Sequence, residues 1–127
     1  PGHGVGSFLW GHEGPQGIAP FGGGDEPLQP GMILSNEPGY YKTGEYGIRI
    51  ENLVLVEARD VPGAEREMLG FATLTFAPID RHAIAVELLT GEERAWLDAY
   101  HARVVEVVGP QIEGAALDWL KAACAPL

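Results

Sequence analysis

The sequence predicts an α+β protein, with a strand-rich front and a helical tail. Three observations carry that expectation. Glycine and proline, 18 and 10 of 127 residues, crowd the first half and interrupt short apolar runs. Such punctuation marks tight turns between short extended pieces. Gly47 to Val56 is apolar and β-branched, and Phe71 to Phe76 alternates with period two, both marks of strands. From Leu88 to Val108 the apolar residues return instead at helical spacing.

In chain order, Pro20 to Pro27 reads as a loop. Gln29-Pro30-Gly31 is a turn leading into a short strand over Met32–Asn36, which Pro38-Gly39 ends. Tyr40-Tyr41 starts a further extended piece, and Lys42 to Glu45 is a turn. Gly47–Val56 is the clearest strand, although Arg49 and Glu51 stand in its first half. Arg59–Glu67 is a polar loop holding Pro62-Gly63. Thr90-Gly91-Glu92-Glu93 is a capping box, with Thr90 as N-cap of a helix that Gly109-Pro110 breaks. Ala115–Ala123 is a second helix. Trp96, Leu97 and Tyr100 form one helix face, and His82 and His101 read as solvated or packing residues.

The bulk numbers exclude several classes. A chain of 127 residues holds one small domain. A formal charge of −10 repels phosphate backbones, so nucleic acid is not an expected partner. Cys124 is the single cysteine, which excludes an internal disulfide and a cysteine zinc site and fits a reducing cytoplasm. No apolar run approaches the roughly 20 residues of a membrane span. The start at Pro1, with neither methionine nor signal peptide, reads as truncation.

Four residues stand out chemically. Period two puts Arg49, Glu51 and Leu53 on one face of an apolar strand. A carboxylate buried there needs compensation. Glu51 is therefore either half of a buried pair with Arg49 or a metal ligand. Glu37 ends a strand, and Pro38 pushes it towards extended geometry. It is either a surface glutamate or a ligand. His3 and His12 sit beside glycines, where backbone can approach a ligand closely; each is a loop residue or a site residue. An imidazole with two carboxylates from separate extended segments is the donor set of an oxygen-rich transition-metal site.

Four motifs in order then point to a family. Gly2-His3-Gly4-Val5-Gly6, His12-Glu13-Gly14-Pro15, Ser35-Asn36-Glu37-Pro38-Gly39-Tyr40-Tyr41 and Gly47-Ile48-Arg49-Ile50-Glu51-Asn52 resemble the successive motifs of the Xaa-Pro aminopeptidases. These belong to the "pita-bread" metallopeptidases, family M24, together with prolidase and creatinase. The tail also resembles the larger cytosolic form, through Phe76-Ala77-Pro78-Ile79-Asp80, Trp96 to His101 and Trp119-Leu120.

The resemblance implies the second half of a pita-bread fold, a curved antiparallel sheet backed by C-terminal helices. Residues 1–80 would be the C-terminal half of the catalytic domain and 81–127 a helical extension. His3, Glu37 and Glu51 would be metal ligands, with Glu51 bridging two divalent ions. Those ions would be manganese, with cobalt or zinc as alternatives. Glu37 would also handle the proton of the attacking water, and His12 would steady the substrate carbonyl. Arg49 would orient a ligand carboxylate, and Tyr41 would line the pocket. The substrate would be a peptide with an N-terminal Xaa-Pro, cleaved in the cytoplasm by a homodimer.

Two aspartate ligands of the family have no counterpart here, so the piece is expected to bind one ion weakly and to be inactive. Trp10-Gly11 stands where the family has a smaller polar residue and an aliphatic, and Trp10 is either a surface or core aromatic or a residue that narrows or reshapes the pocket mouth. The alternatives are a non-catalytic peptide-binding or dimerisation module, and a prolidase-type dipeptidase.

Overall fold

The structure, a computed structural model, describes residues 2–8, 12–21 and 25–127. Trp10-Gly11, and the glycines of the loop expected after Phe21, lie outside the described residues. The chain divides into two compact units, residues 1–75 and 76–127.

The front unit is built on an antiparallel sheet of five strands in the order β2-β1-β3-β6-β7. These are β1 (Gly2–Gly4), β2 (Glu13–Ile18), β3 (Ile33–Asn36), β6 (Asn52–Arg59) and β7 (Met68–Thr73). A separate two-stranded sheet pairs β4 (Gly39–Lys42) with β5 (Tyr46–Arg49). The expected curved antiparallel sheet followed by two helices is the architecture found. The core of the unit is Leu34, Val54 and Val56, with Ile18, Leu28 and Met32 packed against them. The turn before β3 closes with the Met32 N–H donating to the Gln29 carbonyl at 3.1 Å. Gly31 supplies the positive φ (93°) that a type II turn requires at its third position, with Pro30 at the second.

Two elements differ from expectation. Gly47–Val56 is not one strand. Its first part pairs with β4 and its second with β3 and β7, and the chain crosses between sheets at Ile50–Glu51. Glu51 is therefore not the buried carboxylate that a continuous strand implies; its side chain is exposed. The last strand runs Met68–Thr73, three residues earlier than Phe71–Phe76. Pairing still outlasts it. The Leu74 N–H donates to the Leu53 carbonyl at 2.9 Å, and the Leu53 N–H donates to Thr75 Oγ1 at 2.6 Å.

Strands β1 and β2 were not legible from propensity. Pro15 is tolerated in β2 because that strand lies at the sheet edge, where a missing N–H costs no ladder bond. Glycine in β1 is required by close approach. A Cβ at Gly2 would run into the Ser35 carbonyl, and one at Gly4 into the Glu13 carbonyl.

The second unit holds α1 (Gly91–Val108) and α2 (Gly114–Ala123). The capping box forms as expected. The Glu93 N–H donates to Thr90 Oγ1 at 3.2 Å, and the Thr90 N–H donates to Glu93 Oε2 at 2.8 Å. Leu97, Tyr100 and Val104 of α1 pack with Leu120 and Cys124. Burial pushes the Cys124 thiol up, so the lone cysteine is a core residue. Trp96 stacks on Tyr100, with ring centroids 5.6 Å apart.

His101 is fully buried in this unit. Its Nε2 accepts the Ile79 N–H at 3.1 Å, which puts the ring proton on Nδ1, an atom buried without a partner. Burial pushes its pKa below the usual range and Arg81 adds to this, against opposite pulls from Asp98 and the Ile79 bond.

Two outcomes are expected. Gly4→Ala should cost about 1–3 kcal/mol by overpacking β1. Urea unfolding reads this, and an unchanged midpoint would refute the close approach. The folded state favours neutral His101, so that contribution is complete above about pH 6.5 and is lost as pH falls below it. The melting temperature should therefore drop between about pH 7.5 and pH 5, and His101→Gln should flatten that slope. Parallel pH profiles for the two proteins would count against His101 as the cause.

Candidate metal centre

Three of the four singled-out side chains converge. One ligand atom each from His3, His12 and Glu37 lies within 4.8 Å of the other two. His3 comes from β1, Glu37 from the end of β3, and His12 from just before β2. Their meeting follows from sheet order, since β1 lies between β2 and β3. A register shift between His3 and Gly4 interrupts the β1–β2 ladder beside the cluster. Irregularities of this kind re-aim side chains.

The His3 ring is held in one tautomer. Its Nδ1 lies 2.8 Å from the Gly4 carbonyl, which can only accept, so Nδ1 carries the proton. In the neutral ring Nε2 then keeps its lone pair, and it lies 3.4 Å from Glu37 Oε1. The His12 ring packs on that of His3, with centroids 4.2 Å apart. His12 is the exposed member; His3 and Glu37 are half-buried.

Glu37 is gripped from two sides. The Ser35 hydroxyl donates to its Oε1 at 3.1 Å, and the Arg49 Nη1 lies 3.5 Å from its Oε2. Arg49 also reaches Glu51, its Nε lying 3.4 Å from Glu51 Oε2. The same-face pair of Arg49 and Glu51 thus forms, but near solvent. Glu51 is outside the group of three and is tied to it through Arg49 and Glu37. The Tyr41 ring covers Gly47, its partner across the β4–β5 hairpin, and is 64% exposed. Sequence reasoning passes over Ser35, whose one signal is a hydroxyl inside the apolar run Met32–Asn36.

The donor set fits a divalent cation. Nε2 of His3 and Oε1 of Glu37 are both electron-pair donors facing each other, and a cation between them turns repulsion into attraction. Imidazole with carboxylate suits manganese, cobalt or zinc more than calcium or copper(I). Arg49 supplies counter-charge beside two carboxylates.

The chain is similar to known proteins along nearly its whole length. A model of metallopeptidase family M24 matches residues 1–58, and a model of the C-terminal region of peptidase M24 matches residues 67–127. A probable Xaa-Pro aminopeptidase P of Laccaria bicolor is 46% identical over 131 residues, covering 99% of this chain and 20% of that protein. Aminopeptidase P2 of Arabidopsis thaliana is 49% identical over 122 residues, covering 94% of this chain and 17% of its own. The crystal structure of X-prolyl aminopeptidase from Caenorhabditis elegans, a cytosolic enzyme with a di-nuclear active site, superposes with a TM-score of 0.84 at 42% identity. That match covers 99% of this chain and 21% of that one. The chain spans about a fifth of the length of the relatives it matches. With two adjoining models of one family across nearly its whole length, the chain belongs to metallopeptidase family M24.

Proposed function

We propose that this chain is the C-terminal part of a metal-dependent aminopeptidase that releases the N-terminal residue from peptides with proline in second position. The observation that carries the reading is the convergence of His3, His12 and Glu37 from three separate segments. The relatives named for the same activity support it.

His3, Glu37 and Glu51 are the residues that would hold two divalent ions, manganese in the first instance. A bound metal pair supplies a water of lowered pKa and positive charge for the scissile carbonyl. Glu37 would be the residue to accept a proton from the attacking water on a carboxylate oxygen. His12, exposed beside the cluster, donates a hydrogen bond to the developing oxyanion. Arg49 balances the charge of the Glu37 and Glu51 carboxylates, and Tyr41 walls the substrate side. The amide before proline has no N–H, so the site reads ring shape instead of a donor.

The two aspartates that complete the family's ligand set have no match among these 127 residues. Activity therefore belongs to the longer protein, which we place in the cytoplasm as a homodimer.

Manganese titration and cleavage of an Xaa-Pro-Yaa peptide test the reading. The 127-residue chain alone should bind at most one ion weakly and show no turnover. The longer protein should bind two and cleave. His3→Ala or Glu37→Gln should weaken binding by roughly 10-fold or more, since each removes a ligand. Two-ion binding with turnover by the short chain would overturn the division of the ligand set. Binding indifferent to His3 and Glu37 would overturn the site.

A further inference from the structure

We propose that Ser35 is a positioning residue of the metal centre, a buried hydroxyl that holds the Glu37 carboxylate and the His3 backbone against each other. This rests on the metal-binding reading above.

Ser35 is fully buried in the middle of β3. Both its neighbour Leu34 and Ser35 itself are buried, so each face of the strand is covered there. A hydroxyl so placed has to find protein partners. Its Oγ accepts the His3 N–H at 3.0 Å. Its single proton has two acceptors within reach: Glu37 Oε1 at 3.1 Å and the His3 carbonyl at 3.5 Å. The nearer one is charged, and charge-assisted bonds are the stronger. The proton therefore goes to Glu37.

One oxygen atom thus joins the two segments that bring a histidine and a carboxylate to the centre. Oε1, the carboxylate oxygen facing His3 Nε2, is the one that Ser35 fixes. The other grip on Glu37 is an ion pair to an arginine that is half in solvent, and such pairs hold geometry poorly. Without the hydroxyl, the carboxylate is free to rotate off the cation position, and the His3 N–H loses its acceptor.

The test is Mn²⁺ affinity by calorimetric titration of the full-length protein, with the metal-free melting temperature measured alongside. Ser35→Ala should lower Mn²⁺ affinity about 10–100-fold, the usual loss for a partner that orients a ligand. Ser35→Thr, which keeps the hydroxyl, should restore most of it. A purely structural role predicts a lower metal-free melting temperature with unchanged affinity in the folded protein, and that result overturns the proposal. Should Ser35→Ala fail to fold, Ser35→Cys keeps the volume with a weak donor. Mn²⁺ favours oxygen ligands, so the thiol adds none; unchanged affinity there overturns the proposal equally. Glu37→Gln separates the two levels. If it loses affinity while Ser35→Ala does not, only the Ser35 role fails. If Glu37→Gln binds Mn²⁺ like the wild type, the metal reading fails with it.

Discussion

Everything in the front unit hangs on how closely β1 lies between its two neighbours. Gly2 meets the backbone of β3 and Gly4 that of β2, with no room for a side chain at either. Between those two glycines stands His3, the one residue of the strand with a side chain. Close packing of backbone on both sides fixes its direction. The Gly4 carbonyl then fixes its tautomer. A histidine on a looser strand would keep its ring free to turn, and the Nε2 lone pair would not be presented to Glu37. The glycines are thus part of the centre although they touch no ligand.

The same constraint orders the rest of the sheet. β3 brings Leu34 into the core and stops at Asn36, just before Glu37 and Pro38-Gly39; it runs antiparallel to β1 with Gly4 opposite Leu34, so the carboxylate emerges where β1 begins. β6 pairs with β3 along its whole length, in the register Ile33 to Leu55 through Asn36 to Asn52. That register delivers Glu51 next to the end of β3, with Arg49 two residues before it. The helical unit has its own core and its own buried histidine. Its cap, Thr90 with Glu93, is entirely local.

Local signals were therefore the legible ones. The capping box, the Gln29–Met32 turn and the alternation leading to β7 could be read because neighbours in sequence decide them. The strands β1 and β2 could not, since glycine and proline have poor strand propensity and only sheet position excuses them. The break at Ile50–Glu51 was hidden for a related reason. Ile48 and Ile50 continue the apolar pattern of the strand that follows, yet both are exposed and belong with the hairpin sheet. Periodicity counts residues along one strand and is blind to a change of partner. Hence Glu51 was expected buried and is not. Of the site, His3, His12 and Glu37 came from ordered motifs; Ser35 stands in the same motif as Glu37, but its role shows only in its burial and its bonds, which need the fold.

This division bears on what kind of site it is. The two ion pairs that Arg49 makes, to Glu37 and to Glu51, rest on a side chain that is about half exposed. Pairs at that exposure are screened and contribute little rigidity. The hydrogen bonds from Ser35 to Glu37, and from His3 to Gly4, lie under half-buried or fully buried groups, where water competes least. The geometry of the donors is set by the second kind of contact, and the charge balance by the first. A cation arriving at the cluster would meet the Glu37 carboxylate held in direction by a neutral hydroxyl and balanced in charge by a half-exposed arginine. Arg49 can yield as positive charge arrives, while Ser35 and the Gly4 carbonyl keep the ligand atoms where they stand. On the metal-binding reading proposed above, that separation of roles would keep His3 and Glu37 arranged before any ion arrives.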